Sequence, residues 1–220
     1  MPELSITTSK NSSGMRCCSA SEAWRARLSG IYRRVAGELR PDGMYIDQYG
    51  FANEWKVCRS SAHGHPVPWP PLPGERATTA AIRAAVPPAV ATLTEETPCD
   101  FVSQFQDGAL GYSVATARAD LAPHRVDLFR FAFPDFKVFQ LVTYNPLQDG
   151  NWAMLKFPFF NGEGTWLAQS VPDGVCGEAR DFLRAAFAIL WEHRDAFCSA
   201  DAEPLVPTLV PAVYANRFRS

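Results

Sequence analysis

The feature that most constrains the fold is an alternation of predicted helices and predicted strands in the first half of the chain. After a capping-box pattern over residues 19–22, apolar residues recur at helical spacing. This stripe, which we expect to face the core, consists of Trp24, Leu28, Ile31, Val35 and Leu39. A turn at residues 40–43 ends the helix, and a β-branched apolar run leads to Asp47. A second helix, predicted over 78–85, precedes a second strand over 89–94. This order is typical of an α/β protein with a parallel sheet.

The second half continues with apolar runs, which we take as further strands. They cover residues 128–133, 137–143 and 153–160, and the last is followed by a predicted hairpin turn over 161–164. An amphipathic helix is predicted over about 178–197, with one face formed by Phe182, Ala186, Ile189, Leu190 and His193. The inventory holds about five strands, whereas a closed (β/α)₈ barrel needs eight strands and about 250 residues. We therefore predict a partial (β/α)₈ barrel that lacks its first β/α units.

The predicted domain organisation has three parts. Residues 1–18 are expected to be disordered, residues 19–200 to form the barrel-like domain, and residues 201–220 to form an extended tail. A long loop from about 53 to 75, rich in Pro, His and Trp, is expected to carry function.

Composition narrows the function classes. The net charge is −2, so a nucleic-acid partner has no electrostatic support. No stretch reaches the roughly 18 apolar residues that a membrane span needs. The N-terminus has no signal-peptide core, so we expect a cytoplasmic chain whose six cysteines are reduced. No Ser-His-Asp arrangement, phosphate-binding loop or dinucleotide fingerprint is present.

Two predicted strands end in carboxylates, which is where barrel enzymes keep their chemistry. Asp47 ends the first predicted strand, and Glu95 and Glu96 end the second. Glycoside hydrolysis needs such a pair, about 5–5.5 Å apart for retention or 6.5–9.5 Å for inversion. We favour Glu95 over Glu96 because Glu95 shares a face with Leu93, although a bulge would reverse this. The alternative is that these carboxylates cap helices or bind loop amides.

Several polar and aromatic residues are candidates for substrate binding. Tyr45 and Gln48 flank Asp47, and Asp107 could form a pocket wall or simply a turn. Trp69 and Trp152 could stack on sugar rings, although tryptophan is also an ordinary core residue.

His63 and His65, together with Cys58, contain good zinc ligands. A fourth ligand would have to be Asp47 or a distant residue, and the spacing fits no standard zinc site. We therefore expect no metal and no cofactor, with one histidine binding substrate and the other structural. A metal-dependent hydrolase remains a third hypothesis. Cys17 and Cys18, near a helix start, could be reactive, but buried packing is the preferred interpretation.

The chain resembles a group of bacterial glycoside-hydrolase-like proteins of largely unknown function. They are distantly similar to α-galactosidase-type and endo-α-N-acetylgalactosaminidase-type (β/α)₈ barrels. The matching segments are DGMYIDQYG at 42–50, Cys58 with HGH at 63–65, LTEE at 93–96, QDGAL at 106–110 and VYANRF at 213–218. The resemblance implies that Asp47 is the nucleophile and that Glu95 or Glu96 is the acid/base. Family members are usually longer, so the chain looks truncated at both ends.

We therefore expect a glycoside hydrolase that cleaves O-glycosyl bonds of a carbohydrate substrate, with retention favoured. The alternative is a non-catalytic carbohydrate-binding remnant of a barrel, in which an open pocket binds sugar without hydrolysis. We expect neither nucleic-acid nor membrane partners. An incomplete parallel sheet leaves an unpaired strand edge, which a second copy of the chain could cover.

Overall fold

The structure is a computed structural model that describes residues 5–6, 15–47, 49, 57–95, 98–111, 126–142, 155–167 and 177–220. The chain forms two compact units, Met1–Asp107 and Gly108–Ser220. The three-part division into 1–18, 19–200 and 201–220 stays a prediction.

The first unit contains helices that alternate with strands. Its strands are β1 (Ser5–Ile6), β2 (Met15–Arg16), β3 (Gly43–Ile46) and β4 (Ala91–Glu95). Its helices are α1 (Glu22–Leu39), α2 (Leu72–Ala85) and α3 (Asp100–Ser103), and a 3₁₀ turn covers Ser61–His63. The predicted α1, β3 and β4 are confirmed. Helix α2 begins six residues before its predicted start of 78, so it includes residues that we had placed in the loop.

The second unit repeats this alternation. Its strands are β5 (Gly108–Gly111), β6 (Lys137–Val142), β7 (Gly164–Leu167), β8 (Ala202–Glu203) and β9 (Arg217–Phe218). Its helices are α4 (Leu128–Ala132), α5 (Lys156–Asn161), α6 (Gly177–Glu192) and α7 (Arg194–Cys198).

The main sheet has five strands in the order β3-β4-β5-β6-β7. The strand pairs whose register is described are all parallel, and they join β3 to β4, β5 to β6 and β6 to β7. Two short antiparallel pairs, β1 with β2 and β8 with β9, stand apart from it. The predicted α/β class with a parallel sheet is confirmed.

Helix α1 packs on the start of the sheet through a face that differs from the predicted stripe. Ala36 is buried and forms a core cluster with Met44, Val86 and Val90, against which Tyr32 and Val35 pack. Ile31 and Leu39 are exposed, so their inclusion in the stripe was wrong. The cap also differs, because the side chain of Ser21, rather than of Ser19, accepts a hydrogen bond from the amide of Trp24.

Two of the five predicted strands are helices. Residues 128–132 form α4, because Asp127 caps the turn by accepting hydrogen bonds from the amides of Phe129 and Arg130. Residues 156–160 of the run predicted over 153–160 belong to α5, which ends at Asn161. Short apolar runs do not distinguish buried strands from buried helices by periodicity alone. Strands β5 and β7 of the main sheet were not predicted, and both begin with glycine.

The hairpin predicted over 161–164 is a helix end instead. Gly162 has a left-handed backbone (φ 66°) and donates its amide hydrogen to carbonyls of α5, which ends that helix. The turn joins helix α5 to strand β7, whereas a hairpin joins two antiparallel strands.

The long C-terminal helix is divided. The predicted helix over 178–197 breaks at His193, whose backbone (φ −107°, ψ 26°) separates α6 from α7. Ala179, Leu183 and Ala186 are buried, whereas Ile189 and His193 are exposed. Within the described ranges, no helix combines the length and the apolar character that crossing a membrane requires.

Candidate functional site

The predicted catalytic carboxylates follow neighbouring parallel strands. Strand β3 pairs with β4 in a register that ends at Ile46 opposite Thr94. Asp47 comes directly after Ile46, and Glu95 is the last residue of β4. Both residues therefore lie at the carboxyl ends of adjacent strands, which are about 4.8 Å apart in a sheet. The carboxyl ends of parallel strands are where α/β enzymes bind their ligands.

Asp47 is exposed, and Tyr32 lies near enough to sense its charge. The Tyr32 hydroxyl donates a hydrogen bond to the backbone carbonyl of Tyr45 at 3.0 Å, which joins helix α1 to strand β3. Burial raises the pKa of Tyr32, and the nearby Tyr49 and the Asp47 carboxylate raise it further. Burial also raises the pKa of Tyr49. Both phenols therefore stay protonated at neutral pH and can donate hydrogen bonds.

Three of the predicted site residues, Gln48, Glu96 and Trp152, lie outside the described residues. The backbone of Glu95 is described as part of β4. The proposed roles of these four residues stay predictions.

Asp107 lies at the amino end of strand β4, whereas Asp47 and Glu95 lie at the carboxyl ends of β3 and β4. Its carboxylate accepts hydrogen bonds from the amide of Thr92 at 2.7 Å and from the guanidinium of Arg83 at 3.1 Å. Thr92 is the second residue of β4, so these contacts are at the amino end of that strand. The Asp107 carboxylate is therefore bound at the end of β4 opposite to the one that carries Glu95.

A second group of reactive side chains is concentrated in the same unit. The Sγ atoms of Cys18 and Cys58 and one ring nitrogen each of His63 and His65 all lie within 4.8 Å of one another. Cys58 Sγ is 3.2 Å from His63 Nδ1, and Cys18 Sγ is 3.2 Å from His65 Nε2. We call these four residues the Cys₂His₂ cluster. Both cysteines are buried, and both histidines are half-buried.

The loop that carries three of these residues is held by backbone contacts. Cys58 and Trp69 exchange two backbone hydrogen bonds of 3.0 and 2.9 Å, which closes the loop. Between them, the 3₁₀ turn presents His63, and Gly64 follows in a left-handed backbone (φ 71°). His65 Nδ1 is 2.8 Å from the Pro66 carbonyl oxygen, and the His65 ring stacks on the Trp69 indole, with ring centroids 5.3 Å apart.

Cys18 is the member of the cluster that sequence reasoning missed. It comes from the segment before α1, 47 residues from its partner His65. Burial raises the pKa of Cys18, and the neighbouring Cys58 raises it further. The structure thus directs His63 and His65 toward thiols, and it places Trp69 against His65.

The comparisons with known proteins give one local similarity. A segment of 48 residues, 22% of this chain, is 42% identical to a protein of Bacteroides thetaiotaomicron named "Putative glycoside hydrolase". The matched segment spans 7% of that protein's length. No protein-family model matches the chain, and no solved structure matches it.

Proposed function

We propose that the chain carries glycoside hydrolase chemistry on O-glycosyl bonds, with Asp47 and either Glu95 or Glu96 as the two carboxyl groups. The observation that carries the proposal is the register of β3 and β4, in which Asp47 and Glu95 follow the paired residues Ile46 and Thr94. Backbones about 4.8 Å apart suit the short carboxyl separation of retaining enzymes. The local similarity to a protein named "Putative glycoside hydrolase" supports the same class.

The proposed architecture is part of a (β/α)₈ barrel. The spatial order of the main-sheet strands equals their chain order, β3-β4-β5-β6-β7. Barrels follow chain order, whereas a doubly wound sheet reverses its order at a switch point. This agreement supports a barrel segment over a doubly wound sheet.

In the proposed reaction, an Asp47 oxygen attacks the anomeric carbon while the carboxylic acid of Glu95 or Glu96 protonates the departing glycosidic oxygen. The glycosyl–oxygen bond breaks, and a glycosyl ester forms on Asp47. The glutamate, now ionised, takes a proton from water, which attacks the ester and releases the sugar with retained configuration. Tyr45, Gln48 and Trp152 are the proposed sugar contacts.

The test uses 4-nitrophenyl α-galactoside and its α-N-acetylgalactosaminide analogue as probes, because the resemblance implies α-linked substrates. Asp47→Asn should reduce turnover to background. Replacing the acid/base glutamate with glutamine should lower turnover by about 10²–10⁴-fold. Asp42→Asn is the matched control, since Asp42 is an exposed aspartate at the amino end of the same strand. It should retain wild-type turnover.

Hydrolysis that survives Asp47→Asn would remove Asp47 from the mechanism. Binding of sugar without hydrolysis of any glycoside, unchanged in Asp47→Asn, would instead support the non-catalytic alternative. The anomer released first, read by proton NMR, decides between retention and inversion.

A further inference from the structure

The Cys₂His₂ cluster brings together four side chains that share one chemical property. Thiolate sulfur and imidazole nitrogen are the ligands that zinc prefers in structural sites. In the described part of the chain, these four side chains bring their ligand atoms within 4.8 Å of one another. The other described cysteines, Cys17, Cys99 and Cys198, are not part of it and are less buried.

The distances between the ligand atoms agree with tetrahedral coordination of one zinc ion. With Zn–S bonds of about 2.3 Å and Zn–N bonds of about 2.0–2.1 Å, neighbouring ligand atoms lie about 3.3–3.8 Å apart. The Cys18–His65 and Cys58–His63 sulfur–nitrogen separations are both 3.2 Å, and no pair of ligand atoms in the cluster exceeds 4.8 Å. Adjustments of about 1 Å or less in side-chain position would therefore complete the coordination shell.

The surroundings of His65 orient it as a ligand. Its Nδ1 lies 2.8 Å from the Pro66 carbonyl oxygen, which can only accept, so Nδ1 carries the hydrogen. The lone pair of the neutral ring is then on Nε2, the atom that faces Cys18 Sγ. A histidine that ligates a metal commonly donates its other ring nitrogen to a backbone carbonyl in this way.

The backbone also has the form of a ligand-bearing loop. Cys58 and His63 are five residues apart, and the Cys58–Trp69 bridge holds both ends of the loop together. Gly64 allows the chain to reverse between the two histidines, because its left-handed φ of 71° strains any residue with a side chain. The Trp69 ring is stacked on the His65 ring and so covers one face of that ligand.

We propose that Cys18, Cys58, His63 and His65 bind one Zn²⁺ in a closed structural site. Four protein ligands leave no open position for a water, which distinguishes a structural zinc from a catalytic one. The ion ties the segment before α1 to the loop between β3 and α2. This assignment departs from our sequence-based preference for substrate-binding histidines, and it does not depend on the proposed glycosidase activity.

The first test is the metal content of the full chain, purified without chelator and measured by inductively coupled plasma mass spectrometry. We expect about one zinc per chain in the wild type and in Cys17→Ser, and less than a tenth of that in Cys18→Ser. Cys17→Ser is the matched control because it alters the adjacent cysteine, which is exposed and outside the cluster. An equal zinc content in Cys18→Ser and Cys17→Ser would overturn the proposal.

A second measurement on the wild type covers the case in which Cys18→Ser fails to fold. Replacement of the bound metal by Co²⁺ should give the visible absorption of a tetrahedral cobalt ion together with sulfur-to-cobalt charge-transfer bands. Zn²⁺ should also protect Cys18 and Cys58, but not Cys17, from alkylation by iodoacetamide, as read by peptide mass spectrometry. Wild-type protein that binds neither Zn²⁺ nor Co²⁺, or that holds a Cys18–Cys58 disulfide as isolated, would overturn the assignment.

Discussion

Asp107 and Thr92 bind each other through hydrogen bonds that run in both directions. The Thr92 amide donates to the Asp107 carboxylate at 2.7 Å, and the Asp107 amide donates to the Thr92 carbonyl at 2.8 Å. The Arg83 guanidinium reaches the same carboxylate oxygen at 3.1 Å and also binds the Val90 carbonyl at 2.9 Å. Asp107 thereby connects helix α2 to the beginning of strand β4.

We expect Asp107→Ala to lower the free energy of unfolding by about 1–2 kcal/mol, because it removes charge-assisted hydrogen bonds that are partly exposed to solvent. Asp42→Ala is the matched control, since Asp42 is another exposed aspartate that stands directly before a glycine and a strand. Its effect should stay within about 0.5 kcal/mol. Urea unfolding at pH 7 measures both, and equal effects would contradict the bridging role of Asp107.

Glu163, directly before β7, has a buried carboxyl group. Burial raises its pKa well above 4.5, and the nearby Asp127 carboxylate raises it further. Gln140 Nε2, 2.8 Å away, and the Arg130 guanidinium oppose this shift without cancelling it. The folded state therefore favours the protonated form of Glu163.

The raised pKa of Glu163 predicts a loss of stability as the pH rises. Its contribution is fully present below its unfolded-state pKa of about 4.5 and is lost as the pH rises through its higher folded-state pKa. Glu163→Gln should remove this loss, because an amide can accept from Gln140 and donate toward Asp127 as the protonated acid does. The unfolding free energy of the variant should thus fall less steeply above pH 4.5.

Urea unfolding across a pH series measures this difference in slope. Glu192→Gln, at an exposed position on α6, should keep the wild-type slope. Parallel curves for the wild type and Glu163→Gln would show that Glu163 does not change its pKa on folding.

Gly74, in the first turn of α2, packs directly on the backbone of Ser19. A Cβ atom at position 74 would overlap with the carbonyl group of Ser19, which is backbone and cannot rotate away. We expect Gly74→Ala to lower the unfolding free energy by about 1–3 kcal/mol.

Gly37→Ala in α1 is the opposite case, because a Cβ atom there would meet nothing within 4 Å. Alanine should stabilise this helix by about 0.5–1 kcal/mol. Thermal melting of the two variants should therefore shift in opposite directions. A stabilised Gly74→Ala variant would disprove the close contact with Ser19.

The elements that sequence patterns predicted correctly have strong local signals. Helix α1 has a serine cap and apolar residues at helical spacing, and strand β3 follows a Pro-Asp-Gly turn. The elements that were wrong or missed are short. Residues 128–132 are apolar enough for a strand, and β5 contains two glycines in four residues. For such segments, neighbouring packing outweighs weak intrinsic preference.

The sequence by itself determined the α/β class, the parallel strands β3 and β4, and the positions of Asp47 and Glu95 at their carboxyl ends. These follow from periodicity and turn chemistry, which act over a few residues. Only the tertiary structure decided that Asp107 binds the amino end of β4 and that Cys18 joins Cys58, His63 and His65. Such contacts depend on how distant segments of the chain pack together. A local sequence pattern cannot predict a contact between Cys18 and His65, which are 47 residues apart.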